Sequence, residues 1–152
     1  MAKKTYNEKL NDSKDMPKIS ELTDLKLINR YGGTKLLIAP PLDYDALMRK
    51  VPQGQIITTE MLRAYLAKKY GADATCPLTA GIFINIAAHA SDERGADPTP
   101  FWRTLKAKGE LNEKYPGGID AQKVRLEAEG HTVVQKGKRF FVEGYKEKLF
   151  DL

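Results

Sequence analysis

Apolar positions recur along the chain at two periods and divide it into short elements. KLLIA at 35–39 is an apolar run between Gly32-Gly33 and Pro40-Pro41, the pattern of a strand. Beyond it, Asp43 is placed to cap a helix carrying Leu47 and Val51 on one face, and Pro52-Gln53-Gly54 stops that helix. In QIITTEMLRAYLAKKYGAD, Thr58 can accept from the bare amides of a new helix and Glu60 suits its positive end. Met61, Leu62, Tyr65 and Leu66 form its apolar stripe, and Gly71 ends it. After the turn GADAT, the uncharged PLTAGIFINIAAHA reads as a second helix, with Pro77 in the first turn where a missing amide does no harm. Two helices about a short turn predict a helix-turn-helix.

The flanks are more polar. SDERGADPTP reads as a loop, and FWRTLKAKGELNEKYPGG as a long irregular excursion marked by Gly and Pro. A helix from about Asp120 to Glu129 follows, closed by Gly130, and HTVVQ and RFFVE around Lys136-Gly137-Lys138 predict a hairpin. Residues 1–18 are polar and aperiodic, the pattern of a tail or loosely packed arm. The expected architecture is therefore α+β: one domain over 19–152, with a winged-helix-like core at 42–131, an N-terminal arm and strand, and a C-terminal hairpin at 132–143.

Composition narrows the chemistry. A chain of 152 residues, 41% apolar, supports one core. No stretch is long and apolar enough for a membrane span and the N-terminus lacks the core of a signal peptide, so a cytoplasmic protein is expected. The single cysteine, Cys76, excludes an internal disulfide, and with only His89 and His131 beside it neither a metal nor another cofactor is expected. Cys76 opens a helix, where a thiolate is favoured, but no histidine lies near it in sequence; it reads as a structural residue, and His131 as a turn residue. The net charge is +5. Its excess sits at the two ends: 10 basic residues against 7 acidic in 1–50, 4 against 5 in 51–102, and 11 against 7 in 103–148. That distribution permits attraction to nucleic acid without requiring it.

Three further stretches give the chain a relative. VPQGQIITT at 51–59 resembles the I-P-x-G-x-V-x-T/S-Y segment of the alkylguanine-DNA alkyltransferases, the methylated-DNA-protein-cysteine methyltransferases. PFWR at 100–103 resembles their P-C-H-R. Tyr115, Gly117 and Gly118, followed by Glu129-Gly130-His131, resemble their Y-x-G-G and the helix ending E-G-H. The likeness covers about residues 42–131 and implies that family's winged helix-turn-helix. The departures matter as much. Phe101 stands where the resemblance places the alkyl-accepting cysteine and Trp102 where it places the histidine that generates the thiolate. Thr59 replaces the tyrosine that helps rotate the target nucleotide, and Leu78 the arginine that fills the emptied stack. The chain is thus similar to the alkyltransferase-like proteins, which keep the fold and bind damaged DNA without the cysteine.

What this resemblance implies is a non-catalytic, monomeric binder of double-stranded DNA, sensing alkylated DNA without accepting the alkyl group. The alternative is a degenerate copy of the fold serving as a protein-interaction module with no DNA role. The candidate DNA-contacting residues are Thr58 and Thr59, then Thr79 and Asn85 on the recognition helix, Lys106, Lys108 and Lys114, and the amides of Gly117 and Gly118. His89 is a further donor or acceptor on that helix. A helix apolar on every face is a buried one, so the segment 79–90 is expected to be largely covered. Phe101, Trp102, Arg103, Tyr115 and Glu129 make up the pocket region; the two aromatics are expected to fill it, and Arg103 to bond backbone carbonyls, while Glu129 has nothing left to orient.

With Phe101 and Trp102 in those positions, incubation with O6-methylguanine duplex is expected to leave the mass of the intact protein unchanged. A stoichiometric mass increase in the spectrum refutes this, and its appearance on Cys76 would revive the helix-terminus thiolate.

Overall fold

The computed structural model describes residues 3–152. From the N-terminus the elements are α1 (Tyr6–Leu10), β1 (Lys18–Glu21), α2 (Leu25–Tyr31), β2 (Lys35–Ile38), α3 (Pro41–Met48), β3 (Ile57–Thr58) and α4 (Thr59–Tyr70). Then come β4 (Ala74–Thr75), α5 (Pro77–Arg94), β5 (Thr104–Leu105), α6 (Gly118–Ala128), β6 (Val133–Lys136) and β7 (Arg139–Val142). Helices α4 and α5 are the helix-turn-helix. Thr58 Oγ1 accepts from the Met61 amide at 3.3 Å, and Gly71 closes α4 at φ 70°, a left-handed conformation that glycine adopts without a Cβ penalty.

Three small sheets brace that pair. β1 and β2 run antiparallel, and β2 pairs in parallel with β4, the strand in the turn between α4 and α5. β3 pairs in parallel with β5 through Ile57 opposite Thr104 and Thr58 opposite Leu105. β6 and β7 form the C-terminal hairpin. Between these layers Leu37, Ile57, Leu62, Ile84 and Leu126 are fully buried, each contributing roughly 1.5 to 3 kcal/mol of transfer free energy. No helix among the described residues is long and apolar enough to cross a membrane.

Four expectations need correction. Helix α3 starts at Pro41, where a missing amide is harmless, rather than at Asp43, whose carboxylate instead accepts from the Tyr70 hydroxyl, and Val51 lies beyond the helix end. The segment SDER is the last turn of α5 and not a loop, because its polar side chains find distant partners: Ser91 Oγ exchanges hydrogen bonds with the Thr99 backbone, and Glu93 accepts from the Tyr6 and Asn7 amides. The irregular excursion contains β5 and two 3-10 turns. Residues 3–18 are not a loose arm. Thr5 and Glu8 form a capping box that starts α1, Leu10 is buried, and α1 docks along α5; residues 1 and 2 of that stretch lie outside the described residues.

The loop that ends α5 is held by a buried carboxylate. Asp45, 4% exposed, accepts from Thr99 Oγ1 at 2.6 Å and from Arg49 Nε at 2.8 Å. Asp45→Ala strands both donors and is expected to lower unfolding free energy by about 2 to 4 kcal/mol in a urea titration. Asp97→Asn, which removes the exposed charge facing Arg49 and keeps a residue that tolerates the left-handed φ of 48° there, serves as the control and should cost under about 1 kcal/mol.

Candidate nucleic-acid interface

The segment 100–105 is fixed before any ligand arrives. Phe101 packs edge-on against Trp102 and Tyr115, with ring centroids 5.4 and 5.3 Å apart, and the Arg125 guanidinium lies 4.2 Å from the Trp102 ring centre. Trp102 is 8% exposed and Tyr115 2%. Tyr115 donates its hydroxyl proton to the Thr104 carbonyl at 2.9 Å, and burial pushes that phenol well above its ordinary range. These rings fill their own space, so no open aromatic cavity exists here among the described residues.

Arg103 lies behind the rings. It donates through Nε and Nη2 to the two carboxylate oxygens of Glu129, at 2.9 and 2.6 Å, and through Nη1 to the Val51 carbonyl at 2.8 Å. The backbone contact is the one expected of a covered arginine. The carboxylate contact is a correction: Glu129 does have something to hold, namely Arg103. Burial alone would raise the Glu129 carboxyl, but the hydrogen bonds from Arg103 and its positive charge outweigh it and keep its pKa below the usual value. The pair is therefore intact above the carboxyl's unfolded pKa and is lost as the pH falls through the depressed one. His131 follows the turn that closes α6, its amide donating to the Leu126 carbonyl at 3.1 Å; its ring is buried with neither nitrogen bonded, and burial, helped by Lys148, lowers its pKa.

Beside this filled block a cleft of about 250 Å³ opens between the start of α4, the first half of α5 and residues 106–114. It brings together four of the expected contact residues: Thr59, Asn85, Lys106 and Lys114. It also brings in Arg63, which sequence reasoning missed although it stands one helical turn after Thr59 on the same face of α4. Asn85 Oδ1 is buried without a partner. Lys106 is partly engaged already, 3.4 Å from Glu113 and 3.7 Å from Glu110.

The other expected residues lie elsewhere. Thr58 is buried and its hydroxyl is spent on the α4 cap, while Thr79 Oγ1 turns back to the Cys76 carbonyl at 3.4 Å. Lys108, held at φ 64°, faces the hairpin beside Phe141 and Tyr145. The Gly118 amide donates to the Tyr115 carbonyl at 2.9 Å; Gly117 is left-handed at φ 79°, and a Cβ there would meet that of Ala121 at 2.5 Å. Those glycines thus answer first to the turn before α6. His89 is also occupied, stacked on Tyr6 at 4.8 Å with Nε2 2.8 Å from the Lys114 carbonyl.

Helix α5 departs from the expectation of a covered helix. Ala80, Ile84, Ala87, Ala88 and Ser91 form its buried stripe, but Leu78 is 72% exposed and Ile82 50%. Its outward face is apolar and bare, which a composition without charge could not distinguish from burial. Gln122, 1% exposed, was also missed; it bridges the Trp102 carbonyl and the Asn112 amide and so ties the filled block to the rim of the cleft.

The fold has a counterpart among solved structures. The crystal structure of S. pombe Atl1 in complex with damaged DNA containing O6-carboxymethylguanine superposes with a TM-score of 0.51 at 18% identity, covering 74% of this chain and 94% of that one. A structure of S. pombe ATL in complex with DNA reaches 0.48 at 16% identity with the same coverage. No protein-family model matches the sequence, and no curated protein does. The first likeness is one of fold, and it agrees with the α+β architecture that the motifs implied.

Because Trp102 fills the block rather than lining a cavity, Trp102→Ala is expected to cost roughly 3 to 5 kcal/mol of stability. Chemical denaturation measures this. A variant of unaltered stability that discriminates less between alkylated and plain duplex would instead mark the indole as a stacking surface.

Proposed function

We propose that the chain is a non-catalytic DNA-binding protein of the alkyltransferase-like type, working in the cytoplasm and sensing damaged duplex without transferring an alkyl group. The observation that carries the reading is the convergence of Thr59, Arg63, Asn85 and Lys114 on one cleft at the flank of an exposed recognition helix. The fold shared with Atl1, a protein crystallised on damaged DNA, supports it.

The chemistry follows from the residues. Arg63, Lys106 and Lys114 supply positive charge for phosphates, which positions a duplex without reading its sequence. The bare face of α5 offers methyl and methylene groups around Gly81, a surface suited to the floor of a minor groove, where apolar side chains wedge into base steps. Asn85, whose amide group carries both donors and an acceptor, lines the cleft beside this face. Damage is then sensed through deformability: a weakened base pair costs less to distort, so the same contacts bind a lesion more tightly. Phe101 offers hydrocarbon at the position of the family's acceptor and Trp102 an indole at that of its base, so no step of alkyl transfer runs through this loop.

A salt titration against duplex with and without an alkylated guanine tests the reading. Affinity is expected to fall about tenfold or more between about 50 and 200 mM salt, to be higher for the alkylated duplex, and to weaken for every sequence in Lys114→Glu. Lys108→Glu, facing the hairpin, should have the smaller effect. Absence of binding at low salt would overturn the reading and leave the protein-interaction module.

A further inference from the structure

A second groove runs along the other flank of α5, and its outer wall is the N-terminal helix. It measures about 480 Å³ and has Leu78, Ile82 and Ile86 for a floor. Lys9 stands on one rim and Lys114 on the other, and no carboxylate lines it. We infer that this groove seats one sugar-phosphate strand of a DNA duplex, making α1 a backbone-gripping arm added to the helix-turn-helix. The inference rests on the DNA-binding reading above and extends it to residues outside the recognition pair.

The wall is rigid enough for the purpose. Asn7 Nδ2 donates to the Ala90 carbonyl at 3.0 Å and to Glu93 at 2.8 Å, while Arg94 donates back to Asn7 Oδ1 at 2.8 Å. The Tyr6 ring, stacked on His89, carries the Lys9 ammonium 5.1 Å above its centre, which sets the position of that charge. The carboxylates nearest α1 are already engaged: Glu8 with the Thr5 amide, Asp12 with Lys4, and Glu93 with Asn7. The charged side chains that line the groove itself are Lys9 and Lys114, both positive.

The floor selects the occupant. Isolated cations bind any anion, but two cations facing each other across exposed aliphatic groups match a polymer that alternates charged phosphates with the C–H faces of sugars. Continuity points the same way. Gly81, Asn85 and Lys114 line both this groove and the 250 Å³ cleft, so the two meet over α5, and a Cβ built on Gly81 would touch nothing within 4 Å. A duplex laid on α5 thus has one strand beside Arg63 and Lys106 and the other beside Lys9.

Fluorescence anisotropy of the full chain with a labelled duplex decides it, comparing Lys9→Ala with Lys26→Ala. Lys26, on α2 and away from the groove, removes the same charge without touching the surface. Lys9→Ala is expected to weaken binding by about 3- to 10-fold at low salt and to take about 0.9 off the slope of log affinity against log salt, the loss of one phosphate contact. Lys26→Ala should leave both near the unaltered protein. Equal effects of the two variants, with Arg63→Ala, which alters the cleft and not the groove, still weakening binding, would overturn the groove while sparing the DNA-binding reading. A wild-type chain that binds no duplex would overturn both.

Discussion

Arg103 ties three separate stretches of chain at one point. Its guanidinium joins the carboxylate at the end of α6, the carbonyl of Val51 that leads toward α4, and its own backbone in the loop after α5. A forked donor to two carboxylate oxygens is a directional bond, and both side chains are mostly buried, so losing either partner would strand a charge away from water. That constraint fixes where Phe101 and Trp102 must sit, which in turn sets the rim of the cleft through Gln122. The loop at 100–105 is thus held in one geometry by its own bonds and packing.

Much of the fold could be read from the sequence because much of it is local chemistry. The Thr58 cap, the Gly71 stop and the hairpin around Gly137 each depend on residues within a few positions of one another. What escaped depends on partners far along the chain. The last turn of α5 is polar, and its side chains are satisfied by Asn7 and Thr99. The two-residue strands β3, β4 and β5 have no periodicity to detect and exist through their pairings. The orientation of α5 was hidden for another reason: a helix with apolar residues all round has no composition-level marker for its outer face. Gln122 did carry a signal, four residues before the buried Leu126 on the same face of α6.

The candidate site was legible in part for the same reason. Thr59, Asn85 and Lys114 emerged from their types and their places in the motif order, whereas Arg63 needed the geometry that brings α4 over α5. Thr58 and Gly118 were plausible contacts only until their hydrogen bonds were known to be spent within the fold. Residues with a free polar group at a motif position and residues whose polar group serves that motif's own geometry look alike in sequence.

The docking of α1 on α5 also bears on how the molecule is made. The contacts between Asn7 and Glu93 span 86 positions, so α1, made before α5, finds its seat only once α5 has formed. Until α5 is complete, Leu10, buried in the finished fold, lacks most of its cover. Translation itself therefore orders the assembly: the helix-turn-helix can close before its flanking arm, and the arm acts as a seal set on a finished core.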